Sequence, residues 1–151
     1  MDAIPIRPAT IRDFREVLDH HERYWGRRDL RALHVAALIH QFPRTCLVAA
    51  TADGIRGYLF GFVTPDGLGY AHLIATRDDA RGTGLGRRLY EAFTSAARDQ
   101  GATRLEAITT PGNRGSIAFH RGLGFDARLV RDYDGPGADR MVFTKSLSGP
   151  P

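Results

Sequence analysis

The sequence predicts an α/β fold whose sheet is partly antiparallel and partly parallel. Three observations carry this expectation. The runs "TCLVAAT" and "IRGYLFGFVT", joined by "ADG", read as an antiparallel hairpin. An amphipathic stretch after "YAHLIAT" reads as a helix crossing over between strands. A shorter helix follows "RLEAITT", and strands resume beyond it.

The first strand is expected in "IPIRPA". Thr10 then caps a helix, with Asp13 three residues on in a variant of the capping box. Ile11, Phe14, Val17 and Leu18 recur at helical spacing, and the helix is expected to run to about His21. "RYWGRR" interrupts it. A second helix is expected from Asp29, with Leu30, Leu33, Ala37 and Leu38 on one face, ending before Pro43. The hairpin follows, then the turn "PDGLG" and a strand over residues 70–76. Leu85, Leu89, Ala92, Phe93 and Ala96 stripe the crossover helix, which Gly101 ends. After "RLEAITT" come a loop and short helix in "NRGSIAFHRGLGF", the strand "FDARLVR", the turn-rich "DYDGPGAD" and a last strand, "RMVFTKSL".

Composition bounds what such a chain does. Its 151 residues are read as one domain, 1–151, with the 42% hydrophobic and 25% charged residues of an ordinary globule. No apolar run approaches the roughly 20 residues of a membrane span, and "MDAIPIRPAT" has no signal-peptide pattern. Cys46 lies alone in an apolar run, which fits a buried thiol and a reducing cytoplasm. The net charge of +4 suggests an anionic partner. Basic and acidic residues interleave throughout, and Lys145 is the only lysine, so the pattern favours a small anionic ligand over nucleic acid. Four of the six histidines, His20, His21, His34 and His40, lie on or near the first two helices, and no cysteine or carboxylate completes a metal set, so no metal is expected.

The stretch "RDDARGTGLGRRLYEAF" names the anion's place. Gly82, Gly84 and Gly86 precede the amphipathic helix, where flexible backbone lets N–H groups close on a negative charge. The spacing is not the G-x-G-x-x-G of a dinucleotide fold, and no Lys-Ser/Thr pair completes a P-loop. What remains is a strand, a short loop of donors and a helix N-terminus, with Arg81, Arg87 and Arg88 around them.

This arrangement resembles the GCN5-related N-acetyltransferase family. Arg81, Gly84 and Gly86 match its R/Q-x-x-G-x-G/A signature, and Asn113 to Phe125 match its second motif, in the family's order. The resemblance implies a mixed, mostly antiparallel sheet flanked by helices, with a central strand pair bulged and splayed. It implies acetyl-CoA as co-substrate, its diphosphate on the amides of Arg81, Gly82, Thr83, Gly84, Leu85, Gly86 and Arg87. It sets the pantetheine arm beside Ile74, Ala75 and Thr76, with Leu105 to Thr109 across the gap. Asn113, Ser116 and Phe119 would lie along the arm, although Ser116 equally reads as a helix-start residue and Phe119 as core.

The implied reaction is transfer of acetyl to a primary amine, of a small molecule or of a peptide or protein, by direct attack in a ternary complex. A bulge amide around Ile74 to Thr76 would hold the oxyanion. Where the family often keeps a tyrosine as acid for the leaving thiolate, this chain has His120, which is either that acid or a structural residue. Tyr70 is the reserve donor. His72 is the candidate base, two residues before Ile74 and on its face if the strand is regular. Tyr24 and Trp25 line the acceptor pocket, or Trp25 anchors its loop on the core. Asp132, Tyr133 or Asp134 meets the substrate ammonium, or the carboxylates are solvated turn residues. Nucleic acid and membrane are not expected as partners, and a homodimer is left open. The alternative is a catalytically silent acyl-CoA-binding sensor of the same fold.

Overall fold

The computed structural model describes residues 3–147; residues 1–2 and 148–151, the two ends of the expected domain, lie outside the described residues. The strands are β1 (Ile6–Pro8), β2 (Cys46–Thr51), β3 (Gly54–Val63), β4 (Leu68–Thr76), β5 (Arg104–Thr109), β6 (Asp126–Val130) and β7 (Arg140–Ser146). The helices are α1 (Ile11–Asp19), α2 (His21–Trp25), α3 (Ala36–Gln41), α4 (Leu85–Asp99) and α5 (Arg114–Gly122). The strands form a single seven-stranded sheet in the order β1-β2-β3-β4-β5-β7-β6. Only β4 and β5 run parallel.

Each face of the sheet has its own apolar cluster. On one, Leu85, Leu89 and Phe93 of α4 pack on Leu47, Leu59, Ala71 and Phe143. On the other, Phe14 and Val17 of α1 and Ile39 of α3 pack on Val48, Tyr58, Phe60 and Leu73. The capping box is complete at α1: Asp13 N–H donates to the Thr10 hydroxyl (3.2 Å) and Thr10 N–H donates to the Asp13 carboxylate (2.8 Å).

The first two helices depart from expectation. The helix expected to about His21 stops at Asp19, and α2 carries the chain through Trp25, so the break falls at Gly26 with φ 63°. The helix expected from Asp29 is a 3₁₀ turn (Arg31–Leu33) followed by the short α3. Side chains take the helix's backbone partners there. His21 accepts the Leu30 N–H (3.0 Å), Asp29 accepts the Arg31 N–H (3.1 Å), and His34 donates to the Leu30 carbonyl (2.8 Å). Residues 24–34 therefore form an irregular strap across the sheet.

One strand irregularity positions the site. Phe60 pairs with Leu73 and Gly61 with Ala71, so His72 is an extra residue in β4 with no partner of its own on β3. The bulge exchanges the faces of β4. Ala71 belongs to the α4 cluster and Leu73, two residues on, to the opposite one. Ile74 packs on the α4 side, whereas His72 reaches the Leu33 carbonyl of the strap (2.7 Å). The expectation that His72 and Ile74 share a face, and that the bulge lies at Ile74 to Thr76, is thus corrected. Residues 74–76 pair regularly with Leu59, Tyr58 and Gly57.

Gly61 faces this bulge. A Cβ there would run into the Tyr70 carbonyl oxygen and approach Phe93 to 2.8 Å. Gly61→Ala should lower stability by about 1–3 kcal/mol through overpacking. Urea denaturation measures it; an unchanged midpoint would show that the β3–β4 contact has slack the structure does not display.

Candidate active site

Beyond Ala71 the parallel pair separates. β4 and β5 are in register from Leu68↔Arg104 to Ala71↔Ala107, and neither the rest of β4 nor Ile108 and Thr109 continues that ladder. The gap is therefore bounded by Ile108 and Thr109, not by Leu105 to Thr109 as expected, because Leu105 to Ala107 still pair with β4. Backbone N–H and C=O groups of a splayed strand edge need partners, which an extended ligand can supply. A continuous cleft of about 950 Å³ occupies the gap, running from the strap across β4 to α4, β5 and α5.

At one end of the cleft stands the N-terminus of α4. Gly84 is its N-cap, in the left-handed region at φ 81°, and no side chain caps the helix. Gly82 is also left-handed, at φ 77°, with no atom near where a Cβ would stand. The first-turn amides and the helix dipole of this 15-residue helix thus point at the cleft, as an anion site requires. Gly86 serves packing: a Cβ there would meet the Phe119 ring at 2.9 Å, so it lets α5 close on α4. Leu85 is buried in the core and contributes only backbone. Thr83 is the one expected cofactor residue that does not border the cleft; its hydroxyl donates to the Ala80 carbonyl (2.5 Å).

The arginines are partly committed. Arg81 donates to the Tyr24 carbonyl (3.0 Å), tying the loop to α2, and Arg87 donates to the Gly122 carbonyl (3.4 Å). Both border the cleft. Arg88, expected beside the anion, instead reaches the Ile4 carbonyl near β1 (2.8 Å).

On α5, Asn113 is the N-cap: its Oδ1 accepts the Ser116 N–H (3.2 Å) and its Nδ2 donates to Thr109 Oγ1 (3.0 Å). Asn113, Ser116 and Phe119 all border the cleft, beside Ile74, Ala75 and Thr76 across it.

His120 borders the cleft, but its burial and bonding do not suit the acid role expected of it. It is 2% exposed and stacked on Phe143 at 4.1 Å. Its Nδ1 lies 2.8 Å from the Ser116 carbonyl, which can only accept, so Nδ1 carries the hydrogen. Nε2 therefore accepts from the Tyr90 hydroxyl (2.7 Å) and has no proton to give. Burial pushes the imidazole down to about 4, despite the opposing bond to Ser116.

The strap is pinned by a second buried network. Trp25 Nε1 donates to the Tyr58 hydroxyl (2.7 Å). His34 donates from Nδ1 to Leu30, so its Nε2 accepts from that same hydroxyl (2.8 Å). Burial lowers the affinity of His34 for a second proton. Trp25 thus anchors the strap by its N–H while its ring borders the cleft. Tyr24 borders the cleft but is 4% exposed, and its hydroxyl is given to the Ile55 carbonyl (2.9 Å).

Tyr70 and His72 border the cleft together, with ring centroids 5.9 Å apart. Burial, with smaller effects of Tyr133 and Glu106, pushes the Tyr70 phenol up to about 12, so it is protonated at neutral pH. His72 donates through Nε2 to Leu33, which leaves Nδ1 as its acceptor nitrogen. Asp132 and Tyr133 do not border the cleft. Asp132 closes its own loop, accepting the Gly137 N–H (2.8 Å), and Asp134 pairs with Arg140 (3.2 Å), so the carboxylates expected at an ammonium are turn residues. Among the described residues no group of three or more His, Cys, Asp or Glu could hold a metal ion.

Residues 11–125 match the Acetyltransferase (GNAT) family, and the chain belongs to it. It is 37% identical over 116 residues to L-2,4-diaminobutyric acid acetyltransferase of Halomonas elongata, covering 74% of this chain and 57% of that protein. It is 46% identical over 55 residues to L-methionine sulfoximine/L-methionine sulfone acetyltransferase of Pseudomonas paraeruginosa, covering 36% of this chain and 32% of that protein. The matches thus span from a third to a little over half the length of these relatives. The fold is that of the yncA structure from Salmonella typhimurium, solved with its cofactor acetyl-CoA. The TM-score is 0.74 at 19% identity, over 99% of this chain and 97% of that one.

Sequence reasoning passed over Arg28 and Arg140, which border the cleft. Nothing local marks the two arginines.

The buried state of His120 has a measurable sign. An unfolded histidine titrates near 6.5 and this one near 4, so between those values the unfolded chain holds a proton the folded chain lacks. His120 should therefore withdraw stability as pH falls through that window, and its imidazole should stay neutral at pH 6. NMR titration of the ring checks it; a midpoint at or above 6.5 would contradict the assignment.

Proposed function

We propose that this chain is an acetyl-CoA-dependent N-acetyltransferase acting on a primary amine, of a small molecule or of a peptide or protein, by direct attack in a ternary complex. The observation that carries the reading is the continuity of one cleft from an uncapped helix N-terminus into an open parallel strand pair. That shape suits a ligand with a phosphate group at one end and an extended arm. When bound, acetyl-CoA supplies an activated acetyl thioester.

The residues divide the work. Amides of residues 82–86 receive the diphosphate, and alternate N–H groups of Leu73 to Thr76 face the gap and pair with the arm. One of them donates to the developing oxyanion. His72 Nδ1 accepts the proton that the amine loses as its nitrogen bonds to the acetyl carbon. Tyr70 gives its phenolic proton to the sulfur as the carbon–sulfur bond breaks. Cys46 takes no part as an acyl carrier: it is buried, and burial pushes its thiol up to about 11. Asn113, Ser116 and Phe119 line the arm's other wall, and Trp25 with Tyr24 the acceptor side. No helix among the described residues is long and apolar enough to cross a membrane.

Calorimetry with acetyl-CoA and thiol release over an amine panel test the reading. Gly84→Val should weaken acetyl-CoA binding, because a β-branched residue resists φ 81° and crowds the amides. Unchanged affinity in a folded Gly84→Val protein would remove the diphosphate from this loop. Tyr70→Phe should lower kcat by roughly 10²–10⁴-fold with acetyl-CoA affinity retained; full kcat would return the proton to solvent. Tight acetyl-CoA binding with no turnover on any amine would favour the silent sensor.

A further inference from the structure

Strand register assigns a set of side chains to the face of the sheet opposite α4. Leu105, Ala107 and Phe143 belong to the α4 cluster. The residues alternating with them point the other way. Tyr70 pairs with Glu106, and Ile108 with Val142, two residues from Arg140. Tyr70, Ile108 and Arg140 thus share the face over which the strap passes, and all three border the cleft.

The charge around this cleft is one-sided. Four arginines border it, Arg28, Arg81, Arg87 and Arg140, and no aspartate or glutamate does so among the described residues. Arg81 and Arg87 stand with the glycine loop and α4. Arg28 and Arg140 stand on the other side, Arg28 on the strap with its guanidinium 6.0 Å from the Trp25 ring centroid. No carboxylate forms an ion pair with Arg28 among the described residues. Arg140 is held from two directions, donating to the Asp139 carbonyl (2.8 Å) and to Asp134 (3.2 Å), a carboxylate that is 69% exposed. Those bonds fix the guanidinium and leave further N–H donors of its five. Glu106 shares this face beside Tyr70 but does not border the cleft.

Two guanidinium groups, Arg140 held by its loop and Arg28 beside Trp25, with no carboxylate bordering the cleft, repel a polycation and favour an anion. The cofactor's phosphates belong to the α4 side, so these two face the acceptor. We propose that the acceptor is a small amine that also carries a carboxylate, received by Arg140 on the side of the cleft that Arg28 also borders. The assignment rests on the transferase reading above and names its substrate class.

The test is acetyl transfer to three matched amines: a free amino acid, its carboxamide and the amine lacking the carboxyl group. It is run with the unaltered protein, Arg140→Gln and Asp134→Ala. The unaltered protein should prefer the free acid over the amide by roughly 10- to 100-fold in kcat/KM, the value of a charge-assisted bond. Arg140→Gln should erase that preference by raising KM for the acid, leaving the amide's kcat and the acetyl-CoA affinity in place. Asp134→Ala, which frees the same loop contact but keeps the guanidinium, should retain the preference. Equal use of acid and amide by the unaltered protein would overturn the assignment and leave the transferase reading standing. So would an equal loss on both substrates in Arg140→Gln, or preferential use of a peptide amine. No transfer to any amine would end both.

Discussion

His72 is one residue more than β3 can pair, and the geometry of the cleft follows from that surplus. The bulge turns β4 over, so its first half presents Ala71 to α4 and its second half presents Ile74. A bulged strand bends and twists more strongly than its neighbours. β5 stays paired with β7 as far as Thr109, and the two parallel strands part after four residues. The α4 side of the gap receives a helix N-terminus, and the opposite side receives the strap. A two-sided cleft, open along one strand edge, is the result.

Two buried polar networks hold the walls on either side of that opening. Tyr58 joins Trp25 and His34 beneath the strap, and Tyr90 joins His120 on the α4 side. In both, a tyrosine hydroxyl donates to an imidazole whose other nitrogen donates to a backbone carbonyl within four residues. Among the described residues no buried side-chain nitrogen or oxygen lacks a partner. Such satisfied networks make the histidines in them hold shape, because a neutral imidazole with both nitrogens engaged has nothing to offer a ligand. On the proposed reading the chemistry falls to the less buried His72 and to Tyr70.

The sequence made the strands legible because hairpin turns and apolar runs are local signals. The glycine loop and Asn113 motif were legible for the same reason: each is contiguous, and both border the cleft as the family resemblance implied. The strap was not legible. Leu30, Leu33, Ala37 and Leu38 keep a helical period, but His21, Asp29 and His34 capture the backbone groups a helix would use. The bulge was misplaced by two residues because only the partner strand's register reveals it. His120 was assigned by its place in a motif, where its burial against Phe143 and Tyr90 depends on residues 23 to 30 positions away.

The account turns on whether the gap opened at His72 is where the thioester lies. A crystal structure of the chain with CoA is the direct measurement. The account predicts the diphosphate on the amides of residues 82–86, the pantetheine arm between Leu73–Thr76 and Ile108–Thr109, and the sulfur nearer the Tyr70 hydroxyl than His120. A diphosphate bound away from the α4 N-terminus, or a β4–β5 pair zipped shut beyond Ala71 with CoA elsewhere, would contradict it.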